Sequence, residues 1–250
     1  MKIKSIKAGQ QRTDLGHPAW VIFNVLLIFI ISQTIAAVLV QLLTRIINPA
    51  ATGSIDNYAA AEFFYVLLAE GLSIAIVFYI LRRRKLGLTK IGLGRRPTKH
   101  DLSRGLIGFG IFYGLLIVAS LILSLIFPSI NNGSQNVGFN NLNTGLDTFL
   151  AFFALVFLPP LGEETLVRGY LYSGLRARMR FMPALLITSL MFGAAHLATG
   201  DAGALWGAGV NTFILSVVLV YLRESTGALY AGMLVHMLNN LIAFGVHFHR

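Results

Sequence analysis

Apolar runs about twenty residues long, the length a helix needs to cross the hydrocarbon core of a bilayer, follow one another along nearly the whole chain. Seven stretches meet or approach that length: 19–47, 59–81, 104–127, 147–172, 182–198, 204–222 and 227–246. The fold class expected is all-α, a polytopic transmembrane helical bundle of about seven to eight spans. The fifth run is short. The fourth contains Pro159-Pro160, where a missing backbone donor and a bulky ring predict a kink or break. The residue balance agrees: 56% of the 250 residues are hydrophobic and 12% charged, against about 25% charged in an ordinary soluble domain.

The runs leave no room for a linker between two domains. The expected organisation is an N-terminal cytoplasmic segment, 1–18, and one transmembrane domain, 19–246. The start of the chain is basic, but the first apolar run extends far beyond the 7–15 residues of a secretory signal. It therefore reads as an uncleaved span. A formal net charge of +10 would suggest nucleic acid in a soluble protein. Here the cations cluster between spans, as expected of cytoplasmic loops on anionic lipid, so the partner is the bilayer and not nucleic acid. The segment 82–104 holds nine Lys or Arg and 173–181 holds Arg176, Arg178 and Arg180, whereas 48–58 and 128–146 hold neither residue type. This alternation predicts that the N-terminus, 82–104, 173–181 and Arg223 are cytoplasmic. The chain contains no cysteine, which excludes disulfides, thiolate metal sites and thiol nucleophiles.

Charges within spans are costly and usually face the bundle interior. The fourth span carries Glu163-Glu164-Thr165-Leu166-Val167-Arg168. Glu164 and Arg168 are four apart and able to pair on one helix face, whereas Glu163 lies about 100° round the helix. A carboxylate without a close cation in low dielectric takes up protons more readily, which suits a general base. An interfacial salt-bridge cluster explains the same residues without chemistry. Phe192-x-x-x-His196 ends the fifth span, and His236-x-x-x-Asn240 lies in the seventh. A lone intramembrane histidine is commonly a hydrogen-bonded packing residue; two in separate spans, one with a co-facial Asn, favour a site. Glu163 is thirteen residues from Arg176, His196 sixteen from Arg180 and His236 thirteen from Arg223. At 1.5 Å per residue these are depths of about 20, 24 and 20 Å, so the three can meet in one layer reached from the cytoplasm.

These three motifs, in this order and on separate spans, resemble those of the CPBP family: the CAAX proteases and bacteriocin-processing enzymes, or Abi proteins, which include the type 2 CAAX prenyl endopeptidases. The resemblance covers roughly residues 145–245. It implies an intramembrane endopeptidase acting on a membrane-anchored protein or peptide, with Glu163 activating water, His196 helping to hold it, His236 and Asn240 stabilising the oxyanion, and Glu164 and Arg168 supporting the site. Such chemistry needs a base, a positioned water and donors aimed at the developing charge. The metal question stays open. No His-Glu-x-x-His helix is present, but Glu163, His196 and His236 offer two nitrogens and a carboxylate to Zn²⁺, and the family has been read both as metalloprotease and as a metal-free glutamate protease. A bacterial cell membrane is the expected location.

Two rival readings remain: a non-catalytic relative serving as scaffold or bacteriocin self-immunity protein, and a small transporter, which also places Glu, His and Asn in spans but for which no inverted repeat is evident. Other polar residues have plainer readings. Glu62 suits the outer interface. Glu70, deeper in the second span, suits a structural hydrogen bond or substrate gating. Asn24, Ser32, Gln33 and Gln41 suit interhelical hydrogen bonds, Asn211 packing or a site wall, and Gly110-xxx-Gly114 close helix packing. His247-Phe248-His249 reads as an exposed tail.

Overall fold

The computed structural model describes residues 15–49, 55, 58–126, 137–197 and 204–248. All regular structure among them is helical: α1 (Pro18–Ile47), α2 (Ala59–Arg83), a short 3₁₀ turn (Leu88–Ile91), α3 (Lys99–Ile126), α4 (Gly145–Val156), α5 (Leu158–Glu163), a π-helical segment (Glu164–Leu171), α6 (Tyr172–Arg176), α7 (Phe181–Ala195), α8 (Trp206–Thr226) and α9 (Tyr230–Phe248). Six helical stretches are long and apolar enough to cross a membrane, Gly145–Arg176 counting as one; Phe181–Ala195 is apolar but shorter. The chain is a polytopic helical bundle, a multi-pass membrane architecture, with each span at the place its hydropathy predicts.

Local chemistry sets the ends. α1 starts where Pro18, whose missing N–H costs nothing in a first turn, follows His17, whose ring nitrogen accepts from Ala19 N at 3.3 Å. Thr144 and Asp147 cap α4 reciprocally: Thr144 Oγ1 accepts from Asp147 N at 3.1 Å and Asp147 Oδ2 accepts from Thr144 N at 2.9 Å, satisfying two otherwise orphaned donors. α4 stops at Val156 and α5 begins at Leu158, with Pro159 and Pro160 in its first turn, where no N–H is missed. The expected break therefore lies just before the prolines.

The outside of the bundle is more apolar than water tolerates. On α3 the buried residues are Asp101, Gly105, Gly108 and Phe112, while Leu106, Ile107, Ile111, Leu115, Val118, Leu121 and Leu125 are exposed. Lipid is the solvent that makes such a surface stable. Close packing on α3 comes from Gly105 and Gly108: a Cβ on Gly105 would lie 2.8 Å from Leu234, and one on Gly108 2.8 Å from Leu222. Gly110 and Gly114 meet nothing within 4 Å, so that pair does not make the helix contact expected of it. Asn24 does bridge helices, donating to Tyr170 Oη at 3.0 Å, and Gln33 accepts from Tyr65 Oη at 2.5 Å; Ser32 Oγ is buried with no hydrogen-bond partner among the described residues. The loop 131–136 lies outside the described residues, as does His249.

The basic segment after α2 folds against the bundle end. Arg95 holds Asp101 with two 2.6 Å hydrogen bonds, and those bonds raise the Arg95 pKa above its ordinary value. Fully buried Ile91 seats beside Gly169, and the Arg223 side chain reaches Lys90 O at 3.4 Å and Ser173 Oγ at 3.2 Å. These contacts fix the ends of the π segment and α8, which carry or flank the site.

Candidate active site

Two adjacent glutamates meet different environments. Glu164, in the first turn of the π segment, is fully buried. Its Oε1 accepts from Arg168 Nη1 at 2.8 Å, the expected pair four residues apart. The same oxygen lies 3.1 Å from His236 Nδ1 on α9. Arginine stays protonated in proteins, so the carboxylate paired with it is an acceptor and Nδ1 carries the hydrogen. Gly232, one turn before His236, leaves room for this: a Cβ there would lie 3.3 Å from Glu164 Oε2.

Glu163 faces elsewhere. Its side chain is 26% exposed, and its Oε2 lies 3.8 Å from His236 Nε2. That separation is too long for a hydrogen bond but within reach of one bridging water. Glu163 Oε2 has no hydrogen-bond partner among the described residues. His236 is thus held at Nδ1 by one glutamate and turned toward the other at Nε2.

Phe192 links the rest. The Arg168 guanidinium stacks over its ring at 4.2 Å, a cation–π contact strengthened by exclusion of water. The same ring lies 4.7 Å from the His196 ring and 6.1 Å from the His236 ring. Its backbone carbonyl is 2.9 Å from His196 Nδ1. A carbonyl only accepts, so this nitrogen too carries the hydrogen. The helix α7 ends at Ala195, three residues before the span predicted for it, and His196 is its C-cap residue. Asn240, one turn beyond His236, donates from Nδ2 to Leu155 O on α4 at 3.0 Å. Its Oδ1 accepts from Asn239 Nδ2 at 3.4 Å, and Asn239 Oδ1 accepts from Tyr113 Oη at 3.4 Å. An amide carries two N–H donors, so one remains for another acceptor.

The structure therefore brings Glu163, Glu164, Arg168 and His236 together directly and joins His196 to them through Phe192. Asn240 is turned toward the end of α4. The donors present do not fit a zinc centre: among the described residues no three His, Asp or Glu side chains are grouped to hold a metal ion. A cavity of about 630 Å³ lined by His17, Trp20, Phe23 and Arg84 at the start of α1 shares none of these residues.

Sequence reasoning gave Phe192 no role and assigned Glu70 structural or gating duty. Glu70 on α2 lies against Gly162, where a Cβ would fall 1.8 Å from its Oε2, next to Glu163. The signal was present: the positions three and four residues from Glu70 carry no cation, unlike those around Glu164.

The family model described as Type II CAAX prenyl endopeptidase Rce1-like matches residues 145–242, in agreement with the 145–245 of the motif resemblance. No curated protein and no solved structure matches the chain. The matched stretch runs from the start of α4 into α9 and contains Glu163, Glu164, Arg168, Phe192, His196, His236 and Asn240. The match supports CAAX-type intramembrane protease activity in general terms. Residues 145–242 are thus similar to the Rce1-like type II CAAX prenyl endopeptidases, a match that supports the CAAX protease family.

Proposed function

We propose that the chain hydrolyses a peptide bond of a membrane-anchored protein or peptide, with Glu163 as the base that activates water. The observation carrying this reading is the division of labour between the two glutamates. Glu164 is engaged by Arg168 and His236, whereas Glu163 keeps a buried oxygen 3.8 Å from His236 Nε2. A water between them would give its proton to Glu163 as its oxygen bonds to the scissile carbonyl carbon. His236, which donates through Nε2 only when its ring carries both protons, and the second N–H of Asn240 would stabilise the oxyanion, His196 would help to hold the water, and the proton on Glu163 would pass to the leaving amine as the C–N bond breaks. The step needs no metal, consistent with the donor set.

The bilayer would supply the anchored substrate in two dimensions; the basic segments support an entrance on the cytoplasmic face, in the bacterial cell membrane expected for the chain. The test is cleavage of two reporters in proteoliposomes, a farnesylated CAAX peptide and an unprenylated membrane-anchored peptide. Glu163→Ala and His196→Ala should abolish fragment release while the chain still inserts. Unchanged turnover in either variant refutes the assigned roles. Self-protection against a bacteriocin that survives Glu163→Ala would assign a binding role instead.

A further inference from the structure

The side chain of Asn240 is held by a carbonyl that a proline leaves without its helical donor. An uninterrupted α4 would aim the N–H of residue 159 at the carbonyl of Leu155, four positions back. Residue 159 is Pro and has no N–H to give. Nearby carbonyls are met by the backbone: Phe157 N donates to Phe153 O at 3.2 Å and Leu161 N to Phe157 O at 3.4 Å. Leu155 O instead accepts from Asn240 Nδ2 at 3.0 Å, across eighty-five positions of chain. Inside a bilayer a carbonyl deprived of its donor needs another from a neighbouring element, and α9 supplies it. Phe152 and Phe244 pack edge to face with centroids 5.4 Å apart, which seats this part of α9 against the end of α4.

The polarity of the contact is fixed at one end. A carbonyl only accepts, so the Asn240 amide presents its nitrogen to Leu155 and turns its oxygen away. That oxygen accepts from Asn239 Nδ2 at 3.4 Å, and Asn239 Oδ1 accepts from Tyr113 Oη on α3 at 3.4 Å. Neither amide can flip without bringing two acceptor oxygens together. With the oxygen and one N–H of Asn240 engaged, its other N–H is the group left over. Asn240 follows His236 by four residues and so shares its face of α9.

We infer that Pro159 is a positioning residue of the hydrolytic site: by withholding an N–H it leaves the Leu155 carbonyl to orient the Asn240 amide, whose second N–H serves the oxyanion. The inference rests on the proposed hydrolysis. It distinguishes two uses of one hydrogen bond. Were Asn240 only repairing a carbonyl that the proline exposed, an N–H restored at 159 would make the repair unnecessary and leave turnover intact. Where the carbonyl holds the amide for catalysis, the restored N–H draws that carbonyl back into the helix and lets the amide turn.

The test compares two residues at 159 that differ only in the N–H: alanine, and its α-hydroxy acid counterpart, which joins the chain through an ester. In proteoliposomes with the farnesylated peptide, Pro159→Ala should lower kcat by about 10²–10³, the loss expected of one preorganised donor, with KM little changed. The ester form again lacks the N–H and should recover most of that loss. In an Asn240→Ala background, Pro159→Ala should slow cleavage no further, because residues acting through one group are not additive. Wild-type turnover in Pro159→Ala overturns the inference, as does an ester form equally slow or an additive loss in the double variant. The unfolding midpoint of Pro159→Ala in detergent should not fall, since a helical bond is gained; a collapse would mark the proline as structural and overturn the inference too. A second measurement needs no substrate. Asn240→Ala should lower the midpoint of the wild type by stranding Leu155 O, and lower it less in Pro159→Ala, where the backbone meets that carbonyl. Equal shifts in the two backgrounds overturn the inference. Coupled midpoints in a chain that cleaves neither reporter refute the hydrolysis instead, and leave the hold of the Leu155 carbonyl on Asn240 standing.

Discussion

His236 Nδ1 lies 3.1 Å from Glu164 Oε1, the oxygen that also accepts from Arg168 at 2.8 Å. In the proposed reaction that shared acceptor leaves Glu163, rather than Glu164, for chemistry. It commits Glu164 to structure, fixes the His236 ring, and turns Nε2 toward Glu163.

Exchange of each glutamate for Gln should separate stability from activity. Glu164→Gln leaves the buried Arg168 guanidinium without its counter-charge. Breaking such a pair from one side costs roughly 3–5 kcal/mol, read as a fall in the unfolding midpoint in detergent. Glu163→Gln touches no ion pair that anchors the fold. It should leave that midpoint near the wild-type value and abolish reporter cleavage.

Phe192 should be as sensitive as the histidines it touches. Phe192→Ala removes the surface under Arg168 and the packing of both imidazoles. Large-to-small changes of this kind cost roughly 3–5 kcal/mol in a packed core, so both stability and cleavage should drop. Phe192→Leu keeps the volume but not the π face, and should restore more of the stability than of the turnover.

The seam between α7 and α8 sets the position of His196. A Cβ on Gly193 would lie 2.9 Å from the Gly209 carbonyl, which is backbone and cannot rotate away. Gly193→Val should separate the two helices and displace His196, three residues on. A fall in cleavage together with a lower unfolding midpoint in detergent would be the readout; a fully active variant would contradict it.

Asn240 tests the oxyanion assignment. Loss of one preorganised donor costs about 10²–10³ in kcat, and Asn240→Asp also sets a carboxylate against the Leu155 carbonyl that now accepts from the amide. Asn240→Asp should therefore be the slower of Asn240→Asp and Asn240→Ser, with KM little changed in the latter.

Zinc removal offers an independent check. Because no three-ligand grouping occurs among the described residues, cleavage should persist after exhaustive chelation of protein shown by elemental analysis to be metal-free. Loss of activity on chelation, restored by zinc, would contradict this.

Hydropathy alone determined the order and rough limits of the apolar helices, because lipid imposes a length of apolar chain that few other folds require; of the seven runs it marked, six are long enough to cross and Phe181–Ala195 is shorter. The break near residue 157 was equally legible, since Pro159 and Pro160 lack the donor a helix interior needs. The glutamates, Arg168, the histidines and Asn240 stood out because polar groups in apolar runs are rare. Residue spacing also foretold the Glu164–Arg168 pair, whose partners lie within one turn of one helix. Three things needed tertiary structure. The partner of His236 is seventy-two positions away on another helix, and no local periodicity encodes which of two neighbouring carboxylates it meets. Phe192 gained its role only where Arg168 and two imidazoles surround it. Glu70 came to lie against Gly162, the residue before Glu163, because a glycine leaves room where α2 packs on α5, a contact set by the shapes of two helices rather than by the sequence of either.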